Sequence, residues 1–210
     1  MYLIDNTYFK HKYQIDGILE SASGVSTKLD AYIDVYVREF LQKLFGAVSF
    51  EDLNSNITAG VLKSDAHQKW VDFVNGVTYT DNGKTYVWKG LLHLNGSIKR
   101  SLLTNYVYCK IIADLETNNG TSVIDSKNVV KGVMRSHYVS VWNELAEQFG
   151  QCNNIVGNVS YVNGIPFYDY YGNSEGNGYA TMAKFLIDHR VNYENVNLYF
   201  VEVQNRFDLG

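Results

Sequence analysis

Histidine is the side chain best suited to acid–base or metal chemistry near neutral pH, and the chain has five, at His11, His67, His93, His137 and His189. None belongs to an HExxH zinc motif, and no GxSxG nucleophile motif is present in the sequence. Asp188-His189-Arg190 resembles a catalytic trio, but neighbours at a helix end do not face one another. His137 falls on the apolar face of a predicted helix, which is typical of a hydrogen-bonded core histidine. We therefore predict no catalytic residue.

Gly83-Lys84-Thr85 has the composition of the end of a phosphate-binding loop. Such a loop needs a glycine five residues before Gly83 and a helix after the Lys-Thr pair. Position 78 is a threonine, and the segment that follows, Thr85-Tyr86-Val87-Trp88, is β-branched and aromatic, which favours a strand. A calcium loop fails too, because its first ligand positions would fall on Thr78 and Thr80. We expect no cofactor and no bound metal.

The same stretch is better explained as a β-hairpin. Asn82-Gly83 is a two-residue turn, and it allows Thr78–Thr80 to pair with Lys84–Trp88. The arms carry more aromatic surface than an isolated two-stranded ribbon can bury against itself, so these side chains need a partner surface. Aromatic anchors dominate interface energetics, and we therefore predict that the hairpin is an assembly element. The alternative, that these aromatics cover the core of the same chain, stays open.

A second candidate contact is residues 151–178, a segment rich in Asn, Gly and Tyr that contains the only proline, Pro166. Loops of this length usually carry function or are mobile. The predicted interface residues from the hairpin and this loop are Tyr79, Lys84, Tyr86, Trp88, Phe167, Tyr168, Tyr170 and Tyr171.

Apolar residues at helical spacing predict the elements that position these segments. The first helix begins at a sequence similar to a capping box, Thr27-Lys28-Leu29-Asp30, and ends at Gly46. Further helices are predicted over about 65–74, over Ser97–Glu116, from Asp125 or Ser126 to Gly150, and over Tyr179–Asp188, with a weak strand at 159–162 and a terminal strand at 196–203.

These elements predict a mainly α fold: a bundle of four to five helices with an inserted hairpin, a long Asn/Gly/Tyr-rich loop and extended termini. At 210 residues the chain is long enough to bury a core, and one domain is expected. Within it we expect an extended arm over 1–25, a helical core over 26–149 with the hairpin at 77–90, and a loop, short helix and tail over 150–210.

The composition narrows the classes of partner. Hydrophobic residues make up 46% of the chain, and the net charge is −4 with no basic stripe, so an electrostatic grip on nucleic acid is not expected. No apolar run approaches the roughly 20 residues of a membrane span, and the first residues lack the pattern of a signal peptide. We expect the protein to fold in a cytoplasm, with Cys109 as a buried thiol and no disulfide to Cys152.

Several short segments resemble the head-to-tail connector, or neck adaptor, proteins of tailed bacteriophages, most closely those of Bacteroides-infecting and crAss-like phages. The segments that carry the resemblance are Glu39–Gly46, Lys69-Trp70 leading into Asn75–Thr80, Tyr86–Leu91, Asn105–Cys109, Val141–Glu144 and Asn205–Asp208. They span much of residues 27–149, and none is a catalytic motif. Familiar adaptors are compact helical proteins of about half this length, so the hairpin and the region after residue 150 depart from that pattern.

The resemblance implies a non-enzymatic virion protein at the head-to-tail junction. Such a protein is one subunit of a dodecameric ring that stacks between the portal and the neighbouring neck or tail proteins and lines the DNA channel, through which DNA passes without sequence-specific binding. Two alternatives remain: a small phage enzyme with a site in the 151–178 loop, and a tail-associated carbohydrate-binding module. Coplanar aromatics exposed in a groove would favour the carbohydrate-binding module.

Overall fold

A computed structural model describes residues 3–13, 25–118, 128–150, 160–162, 165–167 and 177–201 of the chain. The helices are α1 (Val25–Ser55), α2 (Gln68–Asn75), α3 (Leu102–Asn118), α4 (Asn128–Phe149) and α5 (Met182–Asp188). The strands are β1 (Ile57–Thr58), β2 (Val61–Leu62), β3 (Val77–Asp81), β4 (Lys84–Trp88), β5 (His93–Asn95), β6 (Ile98–Arg100), β7 (Ser160–Val162), β8 (Ile165–Phe167) and β9 (Asn177–Tyr179).

The fold is a mixed α/β arrangement, so the prediction of a mainly α bundle with one inserted hairpin is wrong. Three antiparallel ribbons, β1–β2, β5–β6 and β7–β8, accompany a three-stranded sheet of order β3-β4-β9. Strand β7 lies where a weak strand was predicted at 159–162. Strands of two or three residues are too short to show an alternating pattern in the sequence, which is why β1–β2 and β5–β6 were not predicted. The third helix begins at Leu102 rather than Ser97 because residues 98–100 form β6. The predicted terminal strand is also absent over residues 196–201.

The long helix α1 is interrupted at Gly46, where the sequence predicts its end. Gly46 adopts a φ of 68°, outside the helical region, and the helix then resumes and reaches Ser55. The Leu44 carbonyl beside the break accepts a hydrogen bond from the Asn197 backbone N–H at 2.8 Å. The break therefore provides a polar contact that holds the C-terminal segment against α1.

The N-terminal residues pack into the core instead of forming the predicted extended arm. Residues 3–13 contain two 3₁₀-helical turns, Asn6–Tyr8 and His11–Tyr13. The buried side chains of this segment are Leu3, Ile4, Tyr8, Phe9 and Tyr13. The rest of the predicted arm, residues 14–24, lies outside the described residues. The prediction failed because these apolar residues are too irregularly spaced to show a period.

One hydrophobic core joins the N-terminal turns, the hairpin and all five of the described helices. Helix α4 contributes to it through its later part, because the side chains of its first part are not described. Helix α3 lies at its centre, since every residue from Leu102 to Cys109 is buried. Among the described helices, none is both long enough and apolar enough to cross a membrane.

Two glycines allow the chain to cross itself closely beside this core. Gly76 follows α2, and Gly90 follows β4; their φ values are 90° and 87°. A Cβ atom on Gly90 would lie 2.5 Å from the Gly76 backbone nitrogen, and one on Gly76 would lie 2.5 Å from the Trp88 carbonyl oxygen. The crossing is closed by hydrogen bonds from Leu91 N–H to the Phe73 carbonyl and from Leu92 N–H to the Val74 carbonyl. The segment after β4 is thus fixed to the end of α2.

We predict that Gly90→Ala lowers the free energy of unfolding by about 2–6 kcal/mol, because backbone strain and overpacking each contribute about 1–3 kcal/mol. Gly96→Ala is the matched control: Gly96 also has a positive φ, of 61°, but nothing lies within 4 Å of an added Cβ. The control should lose only about 1–2 kcal/mol from strain. Chemical denaturation of both variants checks this, and equal losses would contradict the close crossing.

Candidate functional site

The predicted hairpin is confirmed, with the predicted turn. Strands β3 and β4 pair antiparallel in a register that places Tyr79 opposite Tyr86 and Asp81 opposite Lys84. Asn82 and Gly83 have φ values of 48° and 76°. Positive values at both central residues are those of a type I′ turn, the form that matches the twist of a two-residue hairpin.

The indole of Trp88 lies between two phenylalanine rings of the same chain. Its ring stacks on Phe73 of α2, with a centroid distance of 6.4 Å, and on Phe185 of α5, at 5.5 Å. The indole Nε1 donates a hydrogen bond to the Phe73 carbonyl at 2.9 Å. Only 5% of Trp88 is exposed. The partner surface that the hairpin needs is therefore provided within one chain.

The two tyrosines of the hairpin contact α5 as well. Tyr86 is buried, with 7% of its surface exposed. The Tyr79 hydroxyl donates to the Asp188 carboxylate at 2.7 Å, and its ring packs edge-on against His189 at 4.5 Å. Burial first, and then the hydrogen bond to Asp188, raise the pKa of Tyr79 well above its usual value. The hydroxyl consequently stays protonated and acts as a donor.

A buried ammonium group fixes the hairpin to α5. Lys184 has only 4% of its side chain exposed, and its Nζ lies 2.7 Å from Asp188 and 3.7 Å from Asp81. The same ammonium lies 4.0 Å from the centre of the Tyr86 ring. A buried charge requires such partners, because desolvation costs several kcal/mol otherwise. The Lys184 ammonium therefore has a structural role: it holds the hairpin against α5, with the Asp188 carboxylate as its acceptor.

These contacts decide how far the predicted interface residues are available to another copy. Lys84 is exposed, Tyr79 is half-buried, and Tyr86 and Trp88 are buried. Tyr86 and Trp88 therefore have little exposed surface with which to anchor an interface as predicted, because α2 and α5 already cover them. Phe167 ends β8. The remaining predicted residues, Tyr168, Tyr170 and Tyr171, lie outside the described residues.

The site that sequence reasoning missed is a cavity of about 380 Å³ beside the end of β4. Its wall is also formed by the ribbon β5–β6, the N-terminus of α3, the later part of α4 and the N-terminal segment. Its polar and charged lining includes Lys89, His93, Arg100, Ser101, Asn105, Glu144 and Gln148. Because these residues come from four separate parts of the chain, no local motif in the sequence brings them together.

Two buried polar atoms of this cavity have no hydrogen-bond partner among the described residues: His93 Nδ1 and Asn105 Nδ2. The other amide atom of Asn105, Oδ1, accepts a hydrogen bond from the Tyr13 hydroxyl. Burial, and then the positive charges of Lys89 and Arg100, lower the pKa of His93. The imidazole is therefore neutral at neutral pH, with one nitrogen able to donate and the other able to accept.

The prediction that Cys109 is a buried thiol is confirmed, and His137 is hydrogen-bonded as predicted but is not fully buried in the core. Cys109 is a free, buried thiol, and burial raises its pKa far above the usual value. His137 is half-buried, and its Nε2 lies 2.6 Å from the Lys12 carbonyl oxygen. Within the described part of the chain, no cluster of three or more His, Cys, Asp or Glu residues is arranged to hold a metal ion.

Comparison with known proteins leaves the chain without a relative from which a function can be transferred. No protein-family model matches it, and neither a curated protein nor a solved structure is significantly similar. The function is therefore argued from the residues and their geometry.

We predict that Trp88→Ala destabilises the monomer by about 3–5 kcal/mol, the usual loss when a large buried aromatic side chain is truncated. Lys84→Ala, at an exposed position of the same strand, is the control and should change stability by less than about 0.5 kcal/mol. Thermal and chemical unfolding of both variants measure this. A Trp88→Ala monomer as stable as the wild type would contradict the intramolecular role of the indole.

Proposed function

We propose that this chain is a non-enzymatic structural subunit of a phage ring, of the head-to-tail connector kind that its short segments resemble. The structural observation that carries the proposal is a pair of small β-ribbons that present apolar side chains to solvent. In β1–β2, Val61 is 65% exposed, and in β5–β6, Leu94 is 68% exposed.

These ribbons have the properties of contact elements. Their strands have two residues in β1–β2 and three in β5–β6, and each ribbon contains only two strands. Isolated two-stranded ribbons are marginally stable in water, and their outer edges have unpaired backbone groups that another chain can satisfy. A contact between such a ribbon and a different surface of the next copy is heterologous, which is the type of contact that closes a ring.

The described aromatic residues do not form the exposed platform that a carbohydrate-binding module needs. Tyr179 and Tyr199 are the described aromatics that are most exposed, at 39% and 60%. The hairpin aromatics, by contrast, are covered by α2 and α5. No observation among the described residues favours the other alternative, an enzyme with its site in the 151–178 loop.

The proposed partners follow from the resemblance: other copies of this chain, the portal, and the neighbouring neck or tail proteins. The net charge of −4 is compatible with a DNA channel, since mild repulsion of phosphates favours sliding over binding. In this proposal DNA passes without sequence-specific contacts, and the assembled protein is located in the virion at the head-to-tail junction.

We expect the purified protein at micromolar concentration to form a closed particle of about twelve times the subunit mass of 23.9 kDa. Val61→Asp should shift the particles towards monomers, because a charge desolvated at a contact is unfavourable. Val191→Asp is the control, because Val191 is 88% exposed in the turn after α5 and lies outside the ribbons.

Mass photometry of the three proteins measures the particle mass, and mass spectrometry of purified virions tests for the protein in the particle. A chain that remains monomeric at all concentrations and is absent from virions would contradict the proposal. Particles that resist Val61→Asp but dissociate with Val191→Asp would move the contact away from the ribbons.

A further inference from the structure

The described part of the wall of the cavity beside β4 carries two cationic side chains and one carboxylate. Lys89 and Arg100 both line it, and Glu144 is the only carboxylate among the lining residues that the structure describes. The charge of Glu144 is matched by Lys12, with which it forms an ion pair. No described carboxylate lies within ion-pair distance of Arg100, whose guanidinium lies 5.9 Å from the centre of the Tyr13 ring. The interior therefore favours a negatively charged occupant.

The N-terminus of α3 adds to this positive potential. Ser101 and Leu102, at the start of the helix, line the cavity. Ser101 Oγ accepts a hydrogen bond from Leu103 N–H at 3.1 Å, and the Ser101 carbonyl accepts one from Thr104 N–H at the same distance. The N-terminal end of a helix carries a partial positive charge and attracts anions within about one turn. It acts here in addition to the guanidinium of Arg100.

The side-chain amide of Asn105 is a second, independent indication of a ligand. Asn105 is 1% exposed, and its Nδ2 has no partner among the described residues. The hydrogen bond from Tyr13 to Oδ1 defines which side of the amide is the donor. A buried donor left without a partner costs about 1–3 kcal/mol, and an oxyanion bound in the cavity would recover this energy.

The remaining wall suits an apolar group. Trp88, Leu94, Leu102 and Tyr179 contribute to it. The volume of about 380 Å³ lies within the range of small-molecule sites, which are mostly apolar with a few placed polar groups.

We propose that this cavity binds a small organic anion, with its oxyanion at Arg100 and the Asn105 amide and its apolar part against Leu94 and Leu102. A carboxylate and a phosphate monoester share this chemistry, since a guanidinium binds either one through two parallel hydrogen bonds. The site lies within one subunit, so binding does not depend on the ring proposed above.

Isothermal titration calorimetry of the intact chain with benzoate, phenyl phosphate and benzyl alcohol tests the proposal. We expect saturable binding of benzoate or phenyl phosphate with one site per chain, and much weaker binding of uncharged benzyl alcohol. The acid that binds more tightly identifies the oxyanion. The proposal is overturned if neither anion binds saturably up to about 10 mM, a range that includes very weak sites. Benzyl alcohol binding as tightly as the anions would overturn it as well.

Two substitutions in the cavity wall test where the anion binds. Arg100→Gln should weaken binding about tenfold or more, as expected when one charged hydrogen bond is lost. Lys89→Gln provides a second test, with a loss of several-fold, if the first variant fails to fold by circular dichroism. Arg38→Gln is the control, since Arg38 forms a partly exposed ion pair with Asp34 on α1, away from the residues that line the cavity. Equal weakening by Arg38→Gln and the two cavity variants would show general ion screening and overturn the assignment.

Discussion

The stacking of Trp88 between Phe73 and Phe185 is the contact on which the rest of the structure depends. It joins α2 and the hairpin, which are adjacent in the sequence, to α5, which begins more than ninety residues after β4 ends. The hydrogen bond from the indole to the Phe73 carbonyl fixes the depth of insertion. Directly after Trp88, the crossing at Gly90 turns the chain towards β5 and β6. The position of the cavity and of the exposed ribbon β5–β6 therefore follows from how this one side chain is held.

The packing of the hairpin limits which surfaces of the chain could contact another copy. A hairpin fixed by Trp88, Tyr79 and the buried Lys184 ammonium is part of the monomer core, and its aromatic face is not available to a neighbour. The contacts proposed between copies would therefore use other surfaces. The short ribbons with Val61 and Leu94 meet that requirement, since these two apolar side chains are exposed.

Features specified by nearby residues were predictable from the sequence, whereas features made by distant residues were not. The Asn82-Gly83 turn depends on local backbone preferences and was predicted correctly. The non-helical φ of Gly46 falls where the helix was predicted to end, but the helix resumes after it and reaches Ser55. The parallel pairing of β9 with β4 joins residues about ninety positions apart, and neither strand carries a sign of the other. The predicted arm failed for a related reason, because burial of Tyr8 and Phe9 depends on a core made by later helices.

The candidate sites show the same division. The four-residue spacing of Lys184 and Asp188 is a local signal that would have indicated their ion pair. Burial of that pair beneath the hairpin depends on tertiary structure alone. The cavity residues Arg100 and Asn105 lie close in sequence, but Tyr13 and Glu144, which line the same cavity, are distant from them and from each other in the sequence. Spacing in the sequence therefore gave no reason to group them.

Hydrogen–deuterium exchange on the isolated monomer tests the central claim, that the hairpin belongs to the core of a single subunit. The amides of Tyr86, Trp88, Leu91 and Leu92 should exchange as slowly as those of the buried helix α3. Core amides exchange only through openings close in free energy to global unfolding. Rapid exchange of the hairpin in the monomer, with protection that appears only in an assembled particle, would contradict the account.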